Sequence, residues 1–418
     1  MDKLIIEGGL PLQGEIAVDG AKNAALPALA ACLLPEEGQV LLHNVPPVVD
    51  IRTMCRFLTY IGAAVEVQGT SVRVSAGSLN RLEAPYDLVK TMRASILVLG
   101  PLVARCGYAK VSFPGGCAIG ARPINLHLAG LEAMGAQITL HEGYIEARSR
   151  GLKGARFRFD LPTVTGTENL LMAATLAEGT TRIENAAREP EIVDLAELLN
   201  SMGARIRGAG TQTIEVQGVS RLRGTEHRVI PDRIETATYA AAAAVTQGDL
   251  LLRGARVDHL ASIVEKMTEA GVGFETRGDA LRVFANQKLR SVKVATAPYP
   301  GFATDVQAQF MTMMCLAEGT SEIRETVFEN RFMHVAELRR MGADIEYKNS
   351  VARIRGVSSL EGAPVMATDL RASASLVLAG LAAGGTTQVS RIYHLDRGYS
   401  RIEEKLARVG ARIRRVKE

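Results

Sequence analysis

The sequence predicts an α/β protein assembled from six copies of one supersecondary unit. Three observations carry that prediction: a glycine-centred string that recurs six times, a second glycine series interleaved with it, and a composition of 47% apolar and 22% charged residues, that of a chain able to bury a core. At roughly 100–200 residues per domain, 418 residues make two to four domains.

The recurring string is apolar-x-x-x-Gly-Ala-x-apolar or a close variant: LTYIGAAV, LEAMGAQI, LNSMGARI, MTEAGVGF, LRRMGADI and LARVGARI. Its glycines are Gly62, Gly135, Gly203, Gly271, Gly342 and Gly410, spaced 73, 68, 68, 71 and 68 residues apart. Each closes a stretch with apolar residues at i, i+3, i+4 and i+7, such as Leu195, Leu198, Leu199 and Met202, and a β-branched or alternating run follows. That is the order helix, left-handed glycine cap, strand.

The second series is Gly38, Gly107, Gly179, Gly248, Gly319 and Gly385, each ending an Ala/Leu-rich run such as NLLMAATLAEG or ASLVLAGLAAGG. Those runs are apolar almost all round and predict buried helices, whereas the helices of the first series should be half exposed. Each unit therefore holds two helices and three or four short strands. A solenoid would accommodate such units; so would closed domains of three units each, into which the chain divides as two triplets.

Charge narrows the function classes. The balance of 49 basic against 45 acidic residues, +4, argues against a nucleic-acid or membrane-surface partner. The longest apolar stretches, residues 24–34 and 237–245, fall short of the ~18 residues that span a bilayer. The polar N-terminus (Asp2, Lys3, Glu7) has no secretory apolar region, so a cytoplasmic protein is expected. Five dispersed cysteines without a C-x-x-C pair predict reduced thiols, and no histidine stands at metal-ligand spacing, so neither a metal nor a cofactor is expected.

Aligned on their glycines, the units place charged residues in matched registers. Arg93, Asp305 and Arg371 each lie 14 residues before a second-series glycine; Arg122 and Arg397 each lie 13 before a first-series glycine. Lys22 and Asn23 open the first buried helix at nearly the same place. A helix N-terminus repels cations and attracts anions, so basic residues gathered at several such ends indicate an anion-binding cleft. The string PGGCAIGARP (114–123) sets Cys117 among glycines beside Arg122, a loop thiol suited to reactivity, while Cys32, Cys106 and Cys315 in the apolar runs read as inert core.

At these residues the chain resembles the enolpyruvyl transferases along its whole length. The segments that carry the resemblance are GAKNAALP (20–27), PYDLVKTMRAS (85–95), PGGCAIGARP, AEGTTRIENAAREPEIVD (177–194), PDRIET (231–236), ATDVQAQF (303–310), ETVFENRFMHV (325–335), ATDLRASASLVLAG (367–380) and HLDRG (394–398). The resemblance implies two domains, each an inside-out α/β barrel of three βαβαββ-type repeats around buried helices: one of residues 22–229, the other of residues 1–21 with 230–418. It implies transfer of the enolpyruvyl group of phosphoenolpyruvate to the 3′-hydroxyl of UDP-N-acetylglucosamine with release of phosphate, by a cytoplasmic monomer serving peptidoglycan synthesis, and hence cell shape and division, and sensitive to fosfomycin.

By the same resemblance Lys22, Arg122 and Arg397 hold the phosphate and carboxylate of phosphoenolpyruvate, and Asn23 and Arg93 line the shared cleft. Arg122, Pro123, Ile124, Asn125 and Leu126 reach the UDP-sugar, with Val327 on the nucleotide side and Arg331, Asp369 and Arg371 counted among the substrate-binding residues. Asp305 takes the proton of the sugar hydroxyl and Cys117 protonates the methylene carbon of phosphoenolpyruvate. Addition to an enol ether needs an acid and a base on opposite sides, which these residue types supply. The segment Leu161–Gly166 lies where members of the family differ. Two other readings are a shikimate-3-phosphate enolpyruvyl transferase, which the thiol loop and the UDP-sugar motifs disfavour, and a non-catalytic anion-binding scaffold, which would not need both Cys117 and Asp305.

Overall fold

The computed structural model describes residues 2–89, 92–113 and 124–417, without the side chains of Val89 and Arg93. Among them the chain forms six four-stranded sheets, one per repeat. In four of the repeats a first strand leads into a buried helix and a second strand parallel to the first, and a partly exposed helix and two antiparallel strands complete the sheet. In the other two, the first strands Gln13–Ala17 and Glu226–Arg228 are exchanged, and each runs parallel to the second strand of the other's repeat. In the repeat holding Asp305, one of the four, the elements are Lys293–Ala295, the helix Gln307–Cys315, Thr320–Arg324, the helix His334–Arg340, Asp344–Lys348 and Val351–Arg355. The order βαβαββ thus runs along the chain five times, and in the last repeat Asp2–Glu7 supplies the final strand.

The described residues fall into two compact units, one of residues 2–19 and 231–417 and the other of residues 20–113 and 124–230. In the first, the helices Arg233–Val245, Gln307–Cys315 and Leu370–Ala382 pack on one another. Nearly every residue of these helices is buried, as their unbroken apolar runs require. In the second, the helix Val164–Ala174 packs against both Lys22–Ala31 and Leu99–Cys106. Helices lie inside and sheets outside, each sheet burying the alternate residues of its strands.

Both rings close by pairing strands far apart in sequence. In the first unit, Asp2–Glu7 inserts between Thr386–Ser390 and Arg412–Lys417, completing the last repeat's sheet, and Gln13–Ala17 lies parallel to Asp249–Arg253. In the second, Glu226–Arg228 returns to lie parallel to Val40–His43. Of the two arrangements open to the repeat, the closed triplet is the one adopted, because every potential end strand is paired within its own unit.

The first-series glycines all have positive φ, from 90° at Gly342 to 105° at Gly62 and Gly203, each ending its helix as the pattern requires. In the second series Gly248 departs: the left-handed residue there is Gln247, with φ of 51°. The thiols also depart in one place. Cys32 and Cys315 are buried, but Cys106 is only partly so, because it ends its helix next to the left-handed Gly107. Among the described residues, no helix is long and apolar enough to cross a membrane.

Candidate active site

In the first unit the residues singled out by sequence converge on Asp305. This residue sits in a 3-10 turn, Thr304–Val306, that runs directly into the buried helix Gln307–Cys315. Its Oδ1 accepts a hydrogen bond from Arg331 Nη2 at 2.7 Å and its Oδ2 one from Arg371 Nη2 at 3.1 Å. The two guanidinium groups are almost fully buried, with 5% and 6% of their side chains exposed, while the carboxylate between them keeps 26%. Each oxygen of the carboxylate is thereby matched to a separate buried cation, which fixes its direction.

Arg371 is the second residue of the helix Leu370–Ala382. Asp369 caps that helix: its Oδ1 accepts from the backbone N–H of Arg371 at 2.9 Å and of Ala372 at 3.1 Å, so it satisfies two of the open N-terminal donors and sets the direction of Arg371. Arg371 Nη1 donates to the Tyr399 hydroxyl at 3.2 Å. Burial works against its charge, but Asp305, the Tyr399 hydroxyl and Asp232 together outweigh burial and hold its pKa above the ordinary value. Arg331 Nη1 donates to Thr304 Oγ1 at 2.9 Å, and its guanidinium lies over the Phe328 ring.

Val327 is placed by a carboxylate that the sequence reasoning passed over. Glu325, 3% exposed, accepts from the backbone N–H of Val327 at 2.8 Å and of Phe328 at 3.1 Å, and from the hydroxyls of Thr296 and Thr304, each at 2.9 Å. One buried side chain thereby joins the Val327 loop to the turn of Asp305. Thr238, Gln309 and Tyr399 were also missed: Gln309 Nε2 donates to Thr238 Oγ1 at 3.1 Å and to the Asp305 carbonyl at 3.0 Å, and the Tyr399 and Thr238 hydroxyls stand 2.8 Å apart. For Thr238 and Gln309 the available signal was a polar residue within an otherwise apolar helix; Tyr399 lies between a turn and a helix and carried none.

Arg397 does not sit where its register predicts. It ends a 3-10 turn, Leu395–Arg397, and the next helix begins only at Ile402, so it is not at a helix N-terminus. The intervening residues include Arg401 with φ of 46°, which redirects the chain before the helix can start. His394, which immediately precedes that turn, has its pKa lowered by burial and then by the charge of Arg397.

The second unit holds Lys22, Asn23, Ile124, Asn125 and Leu126. Lys22 is the first residue of its helix, and its Nζ lies 3.4 Å from Asp50 Oδ2; Asp50 is buried in the first turn of the helix Val49–Tyr60. Asn125 and Leu126 open the helix Asn125–Ala133. That helix is held to Val164–Ala174 by His127, whose Nδ1 lies 3.1 Å from Asn169 Nδ2 and whose Nε2 lies 3.2 Å from Thr165 Oγ1. In the segment 161–166 Leu161 is 67% exposed, and Thr163 caps the buried helix by accepting from the Gly166 N–H at 3.2 Å. Cys117, Arg122 and Pro123 lie outside the described residues, as does the side chain of Arg93, whose backbone starts a 3-10 turn leading into Leu99–Cys106. Among the described residues no cluster of three or more His, Cys, Asp or Glu is arranged to hold a metal ion.

Six βαβαββ sheets in two closed units, with arginines and a carboxylate gathered at helix starts, describe a class of anion-handling transferase. The family described as EPSP synthase (3-phosphoshikimate 1-carboxyvinyltransferase) matches residues 6–406, and the chain belongs to that family, the enolpyruvyl transferases. Two relatives, from Thermodesulfovibrio yellowstonii and Geobacter metallireducens, are 59% and 58% identical over the full length of both chains, and each is named UDP-N-acetylglucosamine 1-carboxyvinyltransferase. Among solved structures, the enolpyruvyl transferase NikO from Streptomyces tendae matches with a TM-score of 0.90 and 27% identity, covering 100% of this chain and 99% of its own.

Proposed function

We propose that this protein transfers the enolpyruvyl group of phosphoenolpyruvate to the 3′-hydroxyl of UDP-N-acetylglucosamine and releases phosphate. The observation that carries this reading is the end-to-end identity of 58–59% to relatives named for that activity. The convergence of Arg331 and Arg371 on Asp305 supports it from the geometry. Under this reading the protein works in the cytoplasm as a monomer, in the first committed step of peptidoglycan synthesis.

The chemistry divides into addition and elimination. In the addition, the sugar oxygen bonds to C2 of phosphoenolpyruvate, Asp305 takes the hydroxyl proton, and Cys117 delivers a proton to C3. In the elimination, the C2–O bond to phosphate breaks and a proton leaves C3, restoring the double bond. Charge that develops at C2 in the presence of arginines is tolerable because the substrate brings its own carboxylate and phosphate, and Lys22, Arg122 and Arg397 bind these. Asn23 and Arg93 take part in substrate binding, Arg122 to Leu126 and Val327 address the UDP-sugar, and Arg331, Asp369 and Arg371 bind substrate, with Arg331 and Arg371 also holding Asp305 and Asp369 capping the helix of Arg371.

A coupled phosphate-release assay tests the proposal. Phosphate should appear with phosphoenolpyruvate plus UDP-N-acetylglucosamine and not when shikimate 3-phosphate replaces the sugar nucleotide. Release only with shikimate 3-phosphate would transfer the chain to the sister activity, and release with neither would leave an anion-binding scaffold.

A further inference from the structure

The last strand, Arg412–Lys417, carries a charge on its buried face. Its register pairs Ile6 with Ile413 and Leu4 with Arg415, and directly opposed residues of an antiparallel pair share one face of the sheet. Leu4 is fully buried and Ile413 nearly so. An arginine in that row gives up part of its hydration, which requires compensation.

The compensation is threefold. Arg415 Nη2 and Nη1 donate to Asp396 Oδ1 at 2.6 Å and Oδ2 at 3.0 Å, a bidentate pair. Nε donates to Glu403 Oε1 at 2.7 Å, and Nη1 reaches Asp2 Oδ2 at 3.5 Å. One guanidinium therefore links the N-terminal strand to both ends of the segment from Asp396, in the turn Leu395–Arg397, to Glu403, in the helix Ile402–Arg408.

That segment presents Arg397 and Tyr399. Tyr399 has anchors of its own: it is 2% exposed and its hydroxyl meets Arg371 and Thr238. The middle of the segment is tied by Gly398, where an added Cβ would stand 2.6 Å from Leu370 Cδ1, so its backbone lies against the start of the helix that bears Arg371. Arg397 is partly exposed and its backbone is held by a short turn, with Asp396 as its immediate neighbour. Loss of the Asp396 pair would therefore release the Arg397 side of the segment first.

We infer that Arg415 is a positioning residue for the reaction: by gripping Asp396 and Glu403 it holds Arg397 at the place where that side chain captures phosphoenolpyruvate. The inference rests on the proposed role of Arg397. A guanidinium is suited to the task because its rigid fork binds one carboxylate through two nitrogens while the third addresses another; an ammonium offers no such geometry.

The test is steady-state kinetics on the full chain with each substrate varied in turn. Arg415→Met should raise the KM for phosphoenolpyruvate about tenfold, below the ~10²-fold that a full 1 Å misplacement can cost, while the KM for UDP-N-acetylglucosamine stays within about twofold. Arg415→Lys should recover only part of the loss. If Arg415→Met does not fold, Asp396→Asn, which removes the bidentate pair and keeps the side-chain size, carries the same expectation. Arg397→Met separates the two levels: an unchanged KM for phosphoenolpyruvate there removes the proposed role of Arg397. A raised KM there with no change in a folded Arg415 or Asp396 variant overturns the positioning role alone. An equal rise in both KM values in the Arg415 variant also overturns it, since that is the signature of general loosening.

Discussion

Arg331 donates to Asp305 at 2.7 Å from a side chain that is 95% buried, and Asp305 accepts from Arg371 on its other oxygen. A carboxylate held this way has a defined direction, because each oxygen is committed to a separate cation. Asp305→Ala should fold and yet lose about 10²- to 10⁴-fold in turnover, as expected for removal of a general base. Phosphate release at the parent rate would take Asp305 out of the mechanism.

Glu325 should act on the sugar nucleotide through Val327. Glu325→Gln keeps the shape but turns one acceptor into a donor, in a site where Val327 N–H, Phe328 N–H and two threonine hydroxyls all donate to it. The KM for UDP-N-acetylglucosamine should rise by about tenfold, the equivalent of one lost hydrogen bond to a charged group. An unchanged value would show that the loop holds without the carboxylate.

Lys405 secures the place where the chain leaves the first unit. Its Nζ pairs with Asp19 Oδ2 at 2.8 Å and with Glu235 Oε1 at 2.7 Å, and Glu235 is 3% exposed. Burial pushes the Glu235 carboxyl up to about 7 even though Lys405 pulls it down. Lys405→Met leaves two carboxylates facing each other and should cost about 3–5 kcal/mol in chemical denaturation. Because a carboxyl with a raised folded-state pKa loses stability as pH rises, the deficit should be greater at alkaline than at mildly acidic pH.

His334 should make the fold acid-sensitive. Burial lowers its pKa from the ordinary 6.5 to about 4, with the Arg331 charge adding to the shift and Asp369 opposing it. Between those values the unfolded chain binds a proton that the folded one refuses, so this contribution is complete above pH 6.5 and declines as pH falls toward 4. His334→Asn should flatten the stability profile across that window. An acid limb identical to the parent's would exclude His334 as its source.

Cys117 is expected to be the thiol that reacts with fosfomycin, the small anionic epoxide shaped like phosphoenolpyruvate. Burial pushes Cys55 up to about 11 and Cys315 up to about 12, and Cys32 higher still, which leaves these sulfurs protonated and poorly nucleophilic. Mass spectrometry of the treated protein should find the adduct on the peptide containing Cys117. Cys117→Asp should keep some activity, shifted to lower pH, and escape the epoxide; inactivation with the adduct on another cysteine would overturn the assignment.

The periodicity of about 70 residues was legible because each repeat must bury the same face of the same two helices, and each marker glycine must adopt a positive φ to end one of them. Matched registers then placed Arg371 and Asp305 at helix starts correctly, since distance along a helix follows directly from residue count. The same count failed for Arg397: the turn and the left-handed Arg401 interrupt the helix on which the register depended.

By itself, then, the sequence determined the repeat, the buried and half-exposed helices and the residues with the right chemistry, all of which depend on local conformation and on the side of an element that faces the core. Tertiary structure alone decided how those pieces meet. Asp2–Glu7 completes the sheet formed by Thr386–Ser390 and Arg412–Lys417; Glu325 governs Val327 and Thr304; Arg415 joins Asp2, Asp396 and Glu403. The physical reason is that periodicity records whether a residue is buried but not what it is buried against, and these partners are brought together only when three repeats close into a ring.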